Sequence, residues 1–257
     1  MVRTHSHLPL TPSRVLLGLI LLALAAGLLV WRLLPRDQAT QVTVGQALAE
    51  FRRLADRDPA RARPAAALPR PGVYSYAISG GESLDALLDA EHDYDGGTAI
   101  VVSRSGCGVE ERWEVLRQRW SAVGICPVGG RLRLDWVREF HDFFGSSKSA
   151  AYACRPAARP GATSCRSGQD SIAYATRRLG TEPLRVGGRA YAAVHLRSHI
   201  SLSGDSSGGG SSDEWRRVGD GLLLAKRFTV SASVASAGDA VYAESYRLRL
   251  RSPNPRR

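Results

Sequence analysis

The run Tyr246-Arg247-Leu248-Arg249-Leu250-Arg251 places apolar and cationic side chains in strict alternation. Period two marks an extended strand, because successive side chains leave a pleated backbone on opposite faces. One face is apolar and the other cationic, which describes antiparallel sheet with a buried side and a wet side. The pattern recurs upstream. Leu224, Phe228, Val230, Ala232 and Val234 share a face, and Leu132, Leu134 and Trp136 alternate with Arg131, Arg133 and Asp135. From Ala190 to Leu202, apolar positions alternate with Tyr191, His195, Arg197 and His199. Val73 to Ser79 and Thr98 to Arg104 are further strand-like runs, separated by a short helix-like stretch around Leu84, Leu87 and Leu88. Glycine-rich breaks at 128–130, 187–188, 204–210 and 219–221 read as turns.

About nine to eleven such strands with few helices make a mainly β fold. The expected arrangement is an antiparallel curved sheet or half-barrel, with a closed β-barrel or a β-sandwich as the alternative. The strands start at Gly72, so the β domain is expected over 72–252, with a disordered tail at 253–257.

Before that domain, Val15 to Trp31 carries no charge, and Leu33 and Leu34 extend the run past Arg32. An apolar stretch of this length spans a bilayer. The expectation is a cytoplasmic tail over 1–14, a transmembrane signal anchor over 15–34 and a single-pass protein whose C-terminal domain is extracytoplasmic. Ala23-Leu24-Ala25 offers a cleavage site, but cutting there leaves an apolar new terminus at Gly27 to Trp31. Residues 35–71 read as a juxtamembrane helix and a linker. Thr43-Val44-Gly45-Gln46 has the form of a capping box, Val44, Ala47, Leu48, Phe51 and Leu54 follow at helical spacing, and Asp58 to Pro71 is Pro-, Ala- and Arg-rich.

Flanking charge gives only a slight bias to an inside N-terminus, since Arg3 and Arg14 precede the span and Arg32 and Arg36 follow it. Cysteine usage supplies the rest. Cys107, Cys126, Cys154 and Cys165 form an even set without zinc or redox C-x-x-C spacing, as expected of disulfides in an oxidising compartment. Three pairings are possible, and Cys107 with Cys126 plus Cys154 with Cys165 closes the most local loops. The net charge of +11 is spread thinly and almost wholly on Arg, without the aromatic interleaving that stacks bases, so no nucleic-acid partner is expected.

Candidate sites each have a plainer reading. Gly204-Asp205-Ser206-Ser207-Gly208-Gly209 looks like the nucleophile motif of chymotrypsin-like proteases, but the inserted Ser and the low-complexity flank make it a flexible hairpin loop. Glu82, Asp85, Asp89, Glu91, Asp93 and Asp95 with His92 form an acidic island. Arg104 stands where a calcium loop needs its closing Glu, so a solvated helix and loop paired with the basic body is expected. His195 and His199 on a strand lie about 13 Å apart, too far for one metal. His141 and Asp142 beside Phe143 and Phe144 read as a loop anchored by aromatic side chains. Trp113, Trp120, Trp136 and Trp215 fall in or beside strands; core packing is their ordinary use, and lining an apolar ligand face is the alternative. No catalytic residue, metal or cofactor is expected.

Pro71-Gly72-Val73-Tyr74, Gly80-Gly81-Glu82-Ser83-Leu84-Asp85-Ala86-Leu87, Cys107-Gly108-Val109, Arg119-Trp120 and Phe143-Phe144-Gly145 resemble a group of uncharacterised single-pass exported bacterial proteins. The strand-rich layout, with Trp215 ahead of Gly221-Leu222, is similar at lower specificity to half-barrel lipoprotein carriers of the LolA and LppX type. That likeness implies lipid carriage on a fixed tether, because no lipid-attachment Cys follows the apolar run. The expected function is a non-enzymatic, membrane-anchored module that binds a lipid, another apolar ligand or a cell-envelope partner. The alternatives are an interaction domain with a filled core, and a hydrolase using His92 or His141.

Overall fold

A computed structural model describes residues 39–257 apart from 66 and 86–89. The expected tail and span over 1–34 lie outside these residues. Twelve antiparallel strands form a closed barrel in which every strand pairs with its neighbours in sequence and β1 pairs with β12. The strands are β1 (Gly72–Asp85), β2 (Ala90–Ser105), β3 (Gly108–Leu116), β4 (Arg119–Val128), β5 (Arg131–Phe143) and β6 (Ser146–Pro156). They continue as β7 (Ala162–Ser167), β8 (Asp170–Val186), β9 (Arg189–Ser203), β10 (Ser206–Arg217), β11 (Leu223–Val234) and β12 (Ala240–Leu250). The closed alternative thus holds in place of the half-barrel, and closure through β1 and β12 pairs most of the edge that an open sheet would expose.

The opening run lies on β12. Tyr246, Leu248 and Leu250 are buried inside while Arg247 and Arg249 are exposed outside. Register carries this parity round the ring: Tyr246 faces Phe228 and Leu248 faces Ile78. Ile100 faces both Tyr74 and Trp113. The outward positions are small and polar, as in Ser75, Ala77 and Ser79 on β1 and Thr229, Ser231 and Ser233 on β11. This is a hydrophilic outer wall, unlike the apolar band and aromatic girdles of a membrane-spanning barrel.

The run Ala99-Ile100-Val101-Val102 breaks the alternation for a local reason. Helix α1 (Val44–Arg57) packs Ala47 and Phe51 on Val73, Ala99 and Val101, so the outer face is apolar there too. Thr43 and Gln46 form the expected capping box. The segment 58–71 is not a free linker. Pro59–Ala62 forms a 3-10 turn, Arg61 pairs with Glu110, and Leu68 is buried in the main core. The C-terminal tail is also docked rather than disordered: Val73 and Arg256 exchange backbone hydrogen bonds, and Arg257 donates to the Pro71 carbonyl. The chain enters at the rim formed by the turns at 117–118, 144–145 and 168–169, where Arg117 donates to the Thr40 carbonyl. At the opposite rim, Leu222, Leu223, Leu224, Tyr74, Leu250 and Leu68 form a plug.

Further differences from expectation are local. Ser206 to Gly210 is strand, not loop: Gly208, Gly209 and Gly210 sit where a Cβ would collide with the backbone of Ser231, Ile200 and Thr229. Leu84 lies on β1 rather than a helix, and His141 and Asp142 lie on β5 rather than a loop. Asp93 and Asp95 alternate outward on β2, flanking buried Tyr94. Both expected disulfides form, Cys107–Cys126 and Cys154–Cys165.

Candidate functional site

The interior divides into a packed half and an accessible half. Along β1 to β3 and β12 the inward side chains are almost fully buried, with Tyr94, Trp113 and Tyr246 in mutual ring contact at 4.5–6.3 Å. Along β5 to β11 the inward Leu134, Tyr152, Tyr174, Leu196, Leu202 and Phe228 are only half-buried. Glu214 and Lys226, also inward, keep 23% and 22% of their side-chain surface accessible. Inside a closed ring, accessible surface at mid-strand, as at Tyr152, Leu196 and Phe228, belongs to an interior space, which Leu202 borders near the end of β9.

The wall explains how that space is reached. β6 pairs with β5 only from Trp136 onward, and β7 ends against Ala175 of β8. Residues 131–135 of β5 and 177–186 of β8 therefore lack a neighbour on one side, leaving a notch at the plugged rim. The exposure of β8 from Arg177 to Pro183 on both faces agrees. The Cys154–Cys165 disulfide joins directly opposed residues of β6 and β7 at the base of the notch, and Cys165 is fully buried.

Near the entry rim the packed half encloses an ionic network. Glu82 faces His92 across the β1–β2 hairpin, with Nδ1 of His92 2.8 Å from one carboxylate oxygen. The other oxygen accepts from the Tyr242 hydroxyl at 3.0 Å and lies 3.4 Å from Nδ1 of His141. Arg119 forks onto Glu244 at 3.1 and 3.0 Å, and the Tyr94 hydroxyl donates to the same carboxylate at 2.9 Å. His92 stacks on Phe143. A second network joins Arg216 to Glu111 and Glu214, and Lys226 to Glu214.

Burial alone would raise the Glu82 pKa, but hydrogen bonds from His141 and His92 and the Arg119 charge overcome it and hold the group at about 2. Glu214 is held at about 2 against the same penalty by Arg216 and Lys226. Groups depressed in the folded state stabilise it above their unfolded pKa, and that stabilisation is lost as pH falls through the folded value. The urea midpoint should therefore be flat from about pH 7 to about pH 5 and fall between about pH 4 and about pH 2.5. In Glu82→Gln/Glu214→Gln the acid-side fall should be shallower; a wild-type midpoint unchanged down to about pH 3 contradicts this account.

Of the four tryptophans, only Trp113 points inward, and it belongs to the packed half, 5% exposed. Trp120 lies outside, stacked on Phe140 with Arg112 over its ring. Trp136 covers Gly124, and Trp215 stacks on His195 and donates to Glu182. The accessible half is instead lined by Tyr152 and Tyr174, which the sequence reading did not single out, and by Leu134, Leu196, Leu202 and Phe228, which alternation marks as facing one way. His195 pairs with Asp213 at 2.7 Å, apart from His199. The acidic island splits, with Glu82 and His92 buried and Glu91, Asp93 and Asp95 outside. Among the described residues the grouping closest to metal-ligand geometry is Cys107, Cys126 and Asp135, and its sulfurs are already bonded to each other. No family model, curated protein or solved structure matches the chain.

Proposed function

We propose that this protein is a membrane-anchored, extracytoplasmic and non-enzymatic barrel that holds an apolar ligand in its interior and admits it through the notch between β5 and β8. The observation that carries this reading is the half-burial of inward Leu134, Tyr152, Tyr174, Leu202 and Phe228 inside a closed ring. Apolar surface left open inside a fold forgoes about 25 cal/mol per Å² that a ligand's burial recovers. Ligand sites are typically such concave, mostly apolar spaces with a few polar groups. The two disulfides fit an oxidising compartment and the apolar run at 15–34 supplies the tether. Glu82 serves the fold: its side chain is fully enclosed and both its oxygens are engaged.

Leu202 stands inward between Ile172 and Gly208. Leu202→Trp adds volume to the interior beside a residue without a side chain. The full chain in detergent should bind N-phenyl-1-naphthylamine with micromolar affinity and fluorescence enhancement, and the variant should bind it at least about tenfold more weakly at an unchanged unfolding midpoint. Equal binding by both proteins, or none by either, refutes a ligand interior.

A further inference from the structure

The charges inside the barrel do not balance, and they run opposite to those outside. Glu82, Glu111, Glu139, Glu214 and Glu244 all project from inward positions. Among the buried and half-buried inward positions only Arg119, Arg216 and Lys226 oppose them, two fewer cations than carboxylates; Lys148, near the entry rim, and Arg178, beside the notch, are also at inward register but exposed. This occurs in a chain of net charge +11. Four of the five carboxylates are accounted for by the two networks. Glu139 is not. It lies on the inner face of β5, opposite Ser121 and Ala150, and among the described residues no side chain hydrogen-bonds or ion-pairs with it.

Two phenols share its surroundings. Burial raises the Tyr152 hydroxyl to about 12 and also raises that of Tyr174, and in both cases Glu139 is the charge that adds most. Neither hydroxyl has a protein partner among the described residues. A polar group left unpaired away from water costs about 1–3 kcal/mol, so the Tyr152 and Tyr174 hydroxyls beside the interior space point to something that pairs with them.

We infer that the interior takes an amphiphile bearing an ammonium group, with the ammonium on Glu139 beside Tyr152 and on the side of Tyr174, and the apolar body along Leu134, Leu202 and Phe228. An unpaired, partly buried carboxylate facing the interior is satisfied by a cation. Aromatic faces attract the same cation through their quadrupole. This barrel already uses that contact internally, with Lys226 Nζ 5.3 Å from the Phe228 ring centre. The inference rests on the ligand-holding reading above and specifies its chemistry.

The test uses dodecyltrimethylammonium and dodecanoate, equal in tail and opposite in charge, titrated calorimetrically below their micellar concentrations into the full chain held in an uncharged detergent. A basic protein without a selective interior favours dodecanoate. The expected result is that the ammonium compound binds at least about tenfold more tightly. Glu139→Gln should bring the two affinities within about twofold, while Asp93→Asn, on the outer face, should leave the preference intact. Because Glu139 pairs with no residue, its substitution should leave the urea midpoint unchanged. Tight binding of both compounds without preference overturns the ammonium inference and leaves the ligand interior standing; binding of neither overturns both. A preference that survives in Glu139→Gln also refutes the assignment. Tetramethylammonium separates the sources: competition by the head group alone indicates a soluble amine, and no competition indicates a lipid-like ligand.

Discussion

Arg119→Met should destabilise the protein by about 3–5 kcal/mol, the cost of removing one partner from a buried ion pair. Arg119 is 3% exposed, forks onto Glu244, donates to the Trp120 carbonyl and stands 3.8 Å from Glu82. Methionine fills much of the volume but leaves two carboxylates enclosed without their cation. Burial opposes the charge on Arg119, yet Glu244 and its neighbours hold its pKa well above the ordinary value, so Arg119 keeps its charge. Arg119→Met/Glu244→Gln should recover part of the loss, because a neutral amide is cheaper to enclose than an unpaired carboxylate. Urea unfolding at neutral pH measures both. A single-variant cost below about 1 kcal/mol would show that water reaches this network and that the packed half is not packed.

Loss of the disulfides is the second large effect. Cys107–Cys126 and Cys154–Cys165 close loops with sequence separations of 19 and 11. The chain-entropy relation gives about 3 kcal/mol for each. Cys154→Ala/Cys165→Ala also empties a position in the core cluster of Val137, Ile172 and Ile200, so it should cost at least as much as Cys107→Ala/Cys126→Ala. Paired denaturation curves with and without reductant, on both double variants, give each contribution separately. Peptide mapping without reductant, on protein taken from its native cells with thiols blocked at lysis, should find no free thiol among the four. Four free thiols would remove the main support for an oxidising location.

How far the sequence revealed the barrel depended on distance along the chain. Local alternation placed the strands of β12, β11, β9 and β5, and local loop closure placed both disulfides. Closure itself was not legible, because it is a pairing of β1 with β12, for example Ile78 with Leu248. The outward faces of three tryptophans were hidden for a related reason. Irregular register at Glu114/Leu116 and Gly124/Ile125 shifts the parity from one strand to the next, and nothing in the local pattern announces it. Ser206 to Gly210 looked like a loop because its residues have low strand propensity, but a closed ring demands pairing there and only glycine tolerates so close an approach. The ionic network was the least legible feature. Glu82 and His92 meet across a hairpin, whereas Arg119, His141, Tyr242 and Glu244 reach them from strands far away in sequence. Had β1 and β2 been read as an antiparallel pair, the shared inward register of Glu82 and His92 would have been the signal.

The central claim is that the interior between β5 and β11 holds an apolar ligand. Native mass spectrometry of the full chain, purified from the cells that make it and stripped of detergent in the gas phase, compares the wild type with Leu202→Trp and so removes lipids held elsewhere on the chain from the comparison. The account predicts one small amphiphile retained at about one per chain in the wild type and absent from the variant. Identical spectra for the two proteins, with no species lost on filling the interior, would contradict it.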